Sequence, residues 1–216
     1  MIEQQIRPWD VLDAEVLQLL GLVRREEFVP APHRSIAFAD MEIPLTDDVT
    51  HAMASGQCML APKVEARMLQ DLQIEKTHRV LEVGTGSGYM AALLGWSAAS
   101  VLSLELDRRL AAFAIDNLER ALIGNVEVRC GDGSQGAPRH GPFDAIVLSG
   151  SVSEIPKSLL SQLTIGGRIV AIVGQMPMMR ATTVTRHGPD AWSTLQPWDT
   201  VAPRLRHFPE PSRFTF

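Results

Sequence analysis

The sequence predicts an α/β fold, doubly wound, with a mostly parallel sheet covered by helices on both faces. Three observations predict it. From Arg79 onward, short apolar runs alternate with longer amphipathic ones, the pattern of strands joined by helices. The run FDAIVLSG at 143–150 is apolar almost throughout, as a strand buried on both faces must be. The run RVLEVG at 79–84 ends in glycine and leads straight into a helix-forming stretch.

The elements follow in order. Val11 to Leu20 carries apolar residues at helical spacing between Pro8 and Gly21 and reads as a helix. Residues 28–48 contain Pro30, Pro32 and Pro44 and keep no period; they are expected to wander over the surface or to cover something. Pro62 to Leu72 is a second helix, with proline in its first turn and Val64, Met68, Leu69 and Leu72 on one side. Then come a strand at 79–84, a helix from Ser87 to Trp96, a strand at 100–105 and a helix from Arg108 to Leu122. A strand at 125–130, the turn GDGSQG, the strand at 143–150 and a helix from Ile155 to Leu163 follow. Gly166-Gly167 reads as a turn and 168–174 as a strand, with further strands expected at 181–186 and 204–208. Residues 1–78 thus form an N-terminal helical and lid segment packed on a core of residues 79–216, a single structural domain overall.

Composition narrows the function. The chain has 216 residues, 45% hydrophobic and 21% charged, which suits one globular domain. A net charge of −5 gives no general pull toward nucleic acid or an acidic membrane. Cys58 and Cys130 form no CxxC pair, and MIEQQIRPWD has no basic start followed by an apolar core, so a cytoplasmic protein is expected. The uncharged stretch 83–104 is too broken by glycine and serine to span a bilayer. Six histidines are scattered without metal-ligand spacing, so no metal is expected. The oligomeric state is not readable.

The stretch from Val80 to Tyr89 carries the chemistry. Gly84, Gly86 and Gly88, with Thr85 and Ser87 between them, spell GxGxG rather than the GxGxxG of a dinucleotide site. The tighter loop, with Glu82 two positions before it, suits a ligand with an amino-acid moiety whose ammonium group lies near Glu82. Glu105, followed by Leu106, ends the next strand, where a carboxylate accepts both hydroxyls of a ribose. Asp132, followed by Gly133, sits in the turn after the third strand and can meet an adenine. Ribose, adenine and an amino acid together describe S-adenosylmethionine. An NAD-dependent oxidoreductase is a weaker alternative, because the spacing lacks the phosphate-binding pattern.

Around this loop stand Arg25-Glu-Glu-Phe-Val-Pro30, Ala37-Phe-Ala-Asp40, Ile43-Pro-Leu45, Gly56-Gln57 and Pro62 with Ala66-Arg67-Met68. Beyond it stand Asn125-Val126, Gly131-Asp-Gly133, Phe143-Asp144, Gly166-Gly167 and Val173-Gly174. In that order, over about residues 1–175, the chain resembles the protein-L-isoaspartate (D-aspartate) O-methyltransferases. The resemblance implies a seven-stranded, Rossmann-like methyltransferase sheet and S-adenosyl-L-methionine as cofactor. It implies methyl transfer to the carboxylate of an isoaspartyl residue in damaged protein, so the partner is a protein or peptide carrying a carboxylate acceptor.

The family reads GQTISxP where this chain reads Gly56-Gln-Cys-Met-Leu-Ala-Pro62. Cys58 stands for the threonine and Leu60 for the serine, a hydroxyl near the reacting groups. After the fourth strand the family tends to TAA, and this chain has Ser149-Gly-Ser151. Cys58, Leu60 and Ser149 are therefore the acceptor-side candidates, and the missing hydroxyl at Leu60 leads to an expectation of weak or absent isoaspartyl turnover. A family member with a different acceptor, or a donor-binding protein that has lost catalysis, are the alternatives. Residues 40–62 are expected to fold over the donor. Methyl transfer to a carboxylate needs no general base, since the nucleophile is already ionised at neutral pH. Alignment and removal of water suffice.

Overall fold

Asp13 starts the first helix. Its Oδ1 accepts from the backbone N–H groups of Glu15 at 2.8 Å and Val16 at 3.3 Å, and α1 runs Ala14–Leu22. The sequence suggested a start at Val11. Gln70 Oε1 instead takes the N–H groups of Leu12 at 2.8 Å and Asp13 at 3.0 Å, and holds that stretch outside the helix. The computed structural model describes residues 1–210.

The proline-rich stretch does cover something. It forms one 3₁₀ turn (Ala31–Ile36) and then β1 (Ile43–Pro44), and it buries Phe28, Val29, Ala37, Ile43 and Leu45. A helix with no clear period, α2 (Val49–Ser55), is capped by Asp48 and ends at Gly56 with φ +77°. The next strand, β2 (Cys58–Met59), pairs antiparallel with β1, Ile43 opposite Met59 and Pro44 opposite Cys58. The long helix α3 (Pro62–Leu72) follows, its proline in the first turn as expected.

The core then alternates. The elements are β3 (Arg79–Val83), α4 (Tyr89–Ser97), β4 (Ser100–Glu105), α5 (Arg108–Arg120), β5 (Val126–Cys130) and β6 (Phe143–Val152). They continue with α6 (Lys157–Leu160), β7 (Leu163–Gln175), β8 (Met178–Gly188) and β9 (Ala191–Thr200). One seven-stranded sheet has the order β5-β4-β3-β6-β7-β8-β9. Strands β3 to β7 are parallel, and β8 and β9 are antiparallel. The chain reverses its direction of winding between β3 and β6, and a crevice opens at their carboxyl ends.

Three expectations are corrected. The helix expected at 155–163 is a single turn, because Pro156 precedes it and Leu163 already pairs with Phe143 to start β7. Gly166-Gly167 is not a turn between elements but an irregularity inside β7, whose pairing jumps from Leu163 to Arg168. The strand expected at 204–208 makes one bridge, Ser151 with Arg204, and the last strand among the described residues is β9 instead. Gly188 opposite Ala191 closes the β8–β9 hairpin, and Pro197 is tolerated because β9 is an edge.

Alternate strand residues enter opposite faces. Val80, Val101, Val147 and Val170 join one apolar cluster, while Leu81, Leu102, Ile146 and Ile169 join the other. The first cluster also contains Ile6, Leu20, Phe28, Ile43, Met68 and Leu72. The N-terminal segment and the sheet therefore share one core. No helix among the described residues is long and apolar enough to cross a membrane.

One polar group crosses this core. The Arg25 side chain is buried, as is that of Glu65 on α3, and the two form an ion pair through Nη1. Nε donates to the Ala37 carbonyl at 2.9 Å and Nη2 to the Leu60 carbonyl at 2.7 Å. The guanidinium carbon lies 4.9 Å from the centre of the Tyr89 ring at the start of α4. Replacing Arg25 by Ala leaves the Glu65 charge and two carbonyls dry, and is expected to cost about 3–5 kcal/mol in urea unfolding. The double variant Arg25→Met with Glu65→Met is expected to recover most of that loss. A double variant as unstable as Arg25→Ala would show that the pair is not the source of the cost.

Candidate active site

The loop after β3 is held from below. Gly84 has φ +93° and Gly88 φ +84°, and a Cβ on Gly88 would stand 3.2 Å from that of Ala114 on α5. Glycine at 88 thus lets α4 and α5 approach. Thr85 and Ser87 are buried and face away from the crevice. Thr85 Oγ1 lies 2.5 Å from Ser103 Oγ, and the Ser87 carbonyl accepts from Asn117 Nδ2 at 2.8 Å. Gly84 and Gly86 line the crevice itself, which has a volume of about 620 Å³ including its open mouth.

Glu105 closes the loop from the next strand. Its Oε2 accepts the Gly86 N–H at 2.8 Å and its Oε1 the Asp107 N–H at 2.9 Å. Two backbone donors fix the carboxylate, and each oxygen keeps a lone pair for a further hydroxyl. Leu106, Asp132 and Gly133 stand beside it on the same wall. Burial would raise the Asp132 carboxyl, but the Ser134 N–H at 2.9 Å and His207 Nδ1 at 2.8 Å hold it below the usual range.

Glu82 is fully buried beneath the loop. Burial pushes its carboxyl up to about 8, against hydroxyl donors from Ser103 at 2.6 Å and Ser149 at 2.7 Å, with Glu105 and Glu65 adding to the rise. Ser149 lines the crevice, so Glu82 meets it through that hydroxyl. Residues expected to fold over a ligand supply the opposite wall with Leu45 and the stretch 55–58. Gln57 Nε2 ties this wall to Asp107, the cap of α5, at 2.9 Å. Cys58 lines the crevice, and burial, with Glu42 nearby, pushes its thiol up to about 12. It is therefore a neutral packed side chain and not a nucleophile. The Leu60 side chain lies in the first apolar cluster, and it is not among the described residues that line the crevice.

Sequence reasoning missed one wall. After β9 the chain returns across the ends of β3 and β6, with the Ser151 N–H donating to the Pro203 carbonyl at 2.7 Å and the Leu205 N–H to the Ser151 carbonyl at 2.9 Å. The Ser151 hydroxyl donates to the Ala202 carbonyl at 2.8 Å, so Ser151 anchors this strap instead of facing a ligand. Arg204, Leu205, Arg206 and Phe208 thereby line the crevice. A Cβ on Gly84 would stand 2.9 Å from Leu205 Cδ2, and one on Gly150 2.8 Å from the same atom. The two glycines make the seat for this leucine, a signal that no local periodicity carries. Among the described residues no three His, Cys, Asp or Glu side chains are grouped to hold a metal ion.

The crevice fits S-adenosylmethionine in its donor set: a fixed carboxylate at the end of β4, a second one after β5, and glycine backbone between. Comparison with known proteins agrees. The family model for protein-L-isoaspartate(D-aspartate) O-methyltransferase matches residues 1–196. A protein-L-isoaspartate O-methyltransferase of Koribacter versatilis is 41% identical over 186 residues, 86% of this chain and 80% of that protein. One of Methanoculleus marisnigri is 42% identical over 174 residues, 81% of this chain and 76% of that protein. Among solved structures, a protein-L-isoaspartate O-methyltransferase superposes with a TM-score of 0.80 at 25% identity, covering 95% of this chain and 66% of that one. A Plasmodium falciparum protein described as a putative member, in complex with S-adenosyl-L-homocysteine, shares the fold with a TM-score of 0.71 at 20% identity, covering 92% and 94%.

Glu82 makes the stability of the protein depend on pH. Its carboxyl titrates near 8 in the folded chain and near 4.5 when unfolded, so between those values the folded state holds a proton the unfolded state releases. Its contribution to stability is complete below about pH 4.5 and is lost as pH rises through about 8. Unfolding free energies from urea titration of the unmodified protein are expected to fall over this window more steeply than those of Glu82→Gln, by up to about 1.4 kcal/mol per pH unit. Equal slopes in the two proteins would mean that Glu82 is already ionised in the folded state.

Proposed function

The chain belongs to the protein-L-isoaspartate (D-aspartate) O-methyltransferase family, and we propose on that premise that its crevice holds S-adenosylmethionine beside an isoaspartyl carboxylate. It is an S-adenosylmethionine-dependent O-methyltransferase of protein repair, and its substrates are proteins. The observation that carries the assignment of the donor site is Glu105, whose orientation is fixed by the N–H groups of Gly86 and Asp107. This carboxylate accepts the ribose hydroxyls. Leu106, Asp132 and Gly133 bound the adenine, and the Gly84 and Gly86 backbone meets the amino-acid end. Thr85, Ser87 and Gly88 shape the loop from beneath, and Glu82 acts on the ammonium through Ser149.

S-adenosylmethionine supplies a methyl group on a sulfonium. The chain's own residues align the acceptor and dry it. Leu45, Cys58 and Leu205 give the crevice apolar walls, and a carboxylate stripped of water there is the better nucleophile. Ser149, the acceptor-side candidate that lines the crevice, gives its one hydroxyl proton to Glu82 at 2.7 Å and presents only an acceptor oxygen there. A leucine packed in the core stands where the family carries a serine, so position 60 offers the crevice no hydroxyl. The family match over residues 1–196 favours the isoaspartyl reading over a different acceptor or a lost activity. The reading includes a cytoplasmic protein, supported by two free cysteines.

Two outcomes are expected. Glu105→Ala weakens the binding of S-adenosylmethionine by about 1.5–3 kcal/mol in calorimetric titration, since a charged acceptor of two hydroxyls is lost. Unchanged affinity would put the ribose elsewhere. In the second measurement, an isoaspartyl peptide is methylated by the unmodified protein and its normal aspartyl twin is not. Equal turnover of the two peptides, or none of either, would sink the isoaspartyl assignment.

A further inference from the structure

Glu82 belongs to a chain of hydroxyls that opens on the crevice. Thr85 Oγ1 stands 2.5 Å from Ser103 Oγ, Ser103 Oγ 2.6 Å from Glu82 Oε2, and Ser149 Oγ 2.7 Å from Glu82 Oε1. Thr85, Ser103 and Glu82 are buried, and Ser149 lines the crevice. Among the described residues the Thr85 hydroxyl has no hydrogen-bond partner besides Ser103. The chain of hydroxyls thus has a dry end at Thr85 and an open end at Ser149.

With Glu82 ionised, the protons of Thr85, Ser103 and Ser149 fill every contact along it, all pointing toward the carboxylate. Ser149 then shows the crevice only a lone pair. A proton on Glu82 is one more than these contacts can use, so one proton has to leave at an end. An acid proton on Oε2 would turn Ser103 and Thr85 and strand the Thr85 proton in a dry place without an acceptor, the costly state of a buried donor. An acid proton on Oε1 leaves Ser103 and Thr85 as they are and turns Ser149 alone. Its hydroxyl proton then enters the crevice.

The surroundings favour the neutral form. Burial raises the Glu82 carboxyl most, and Glu105 on β4 and Glu65 on α3 raise it further, the Glu65 charge being paired with Arg25. Tyr89 on α4 has its phenol raised by burial and stays neutral. The loop 84–88 brings no titratable side chain, and the register partner of Glu82 in β6 is the apolar Val147. The crevice also has a use for the proton. A carboxylate stripped of water needs a donor, and position 60 offers none. Ser55, the other serine on the wall, bonds within its own segment, to the Ala52 carbonyl and Gln57 Oε1, each at 3.3 Å. The Cys58 thiol is a weak donor.

We infer that the proton carried by Glu82 turns the Ser149 hydroxyl outward, so that Ser149 holds the acceptor carboxylate by the oxygen that does not attack. The inference rests on the isoaspartyl reading of the crevice. Glu82 is then a positioning residue that acts through Ser149 and keeps its own proton throughout. The attacking oxygen of the acceptor keeps its electron pair for the methyl group. One lone pair of Ser149 receives the Glu82 proton, and the other stays free for the ammonium of the donor. An ionised Glu82 takes the hydroxyl back, and the acceptor loses its hold while the donor contact persists.

The test follows turnover of a blocked isoaspartyl peptide with no other ionisable group, read as release of S-adenosylhomocysteine with the donor saturating at each pH. In the unmodified protein KM for the peptide is expected to rise about tenfold from about pH 7 to about pH 9, as a group that titrates near 8 passes from mostly neutral to mostly ionised, with kcat changing far less. In Glu82→Gln the amide Nε2 donates to Ser149 at every pH, so the ratio of the two KM values is expected to stay near one, whatever the absolute rate. Ser149→Ala keeps Glu82 and is expected to show a raised KM already at about pH 7, with the same flat ratio. Where a variant turns over too slowly to measure, peptide affinity in the complex with S-adenosylhomocysteine supplies the ratio. No rise in the unmodified protein, or a rise that survives in either variant, overturns the inference and leaves the isoaspartyl reading standing. No turnover of the peptide by the unmodified protein, with calorimetric donor binding intact, overturns that reading and this inference with it.

Discussion

A guanidinium taken out of water costs several kcal/mol unless its N–H groups find acceptors and its charge a partner. Arg25 meets that demand with groups from three parts of the chain: the Ala37 carbonyl, the Leu60 carbonyl and the Glu65 carboxylate. Those three do not otherwise have reason to meet. Ala37 belongs to the proline-rich stretch, Leu60 to the segment that leads out of β2, and Glu65 to α3. The Arg25 charge therefore fixes where the β1–β2 ribbon lies, and the ribbon carries Leu45 and Cys58 into the crevice. The position of the acceptor-side wall thus depends on an interaction outside the crevice.

The donor side is built on a different principle. Its carboxylates are ordered by the protein's own N–H and O–H groups before any ligand arrives. Glu105 spends one lone pair of each oxygen on the backbone, and Glu82 takes a hydroxyl on each of its oxygens. A site ordered in advance has less conformational freedom to lose on binding. The same economy explains why Thr85 and Ser87 are buried: the Thr85 hydroxyl bonds that of Ser103, and the Ser87 hydroxyl accepts from the Tyr89 N–H.

Much of this was legible in the sequence. Strands β3, β4, β6 and β7 show as apolar runs because both faces of each are covered, the edge strand β5 shows by the alternation in VEVRC, and Glu105 and Asp132 show because they end or follow a strand. The hairpin of β8 and β9 was harder. Much of β9 is exposed and carries Pro197, so it has neither alternation nor an apolar run to betray it. The helix after β6 was overread, since a period of apolar residues does not reveal that Leu163 is already paired in the sheet. Position 60 shows the limit of motif reasoning. A leucine in place of a serine looks like an altered contact to a ligand, yet its side chain turns into the core and its carbonyl serves Arg25. The strap was invisible for a similar reason: Leu205 is recognised only by Gly84 and Gly150, glycines far from it in sequence.

That strap has a consequence for how the protein comes to be made. The sheet draws its last strand from residues 191–200, and the crevice draws a wall from the residues that follow. Contacts between distant parts of a chain are the slow ones to form, since loop entropy must be overcome first. A growing or refolding chain can therefore hold its complete sheet and most of both apolar clusters, lacking only Ala202, Leu205 and Phe208, while its binding crevice is still open on one side. Compactness and competence arrive as separate events, and the second waits on a single leucine finding its place between two glycines.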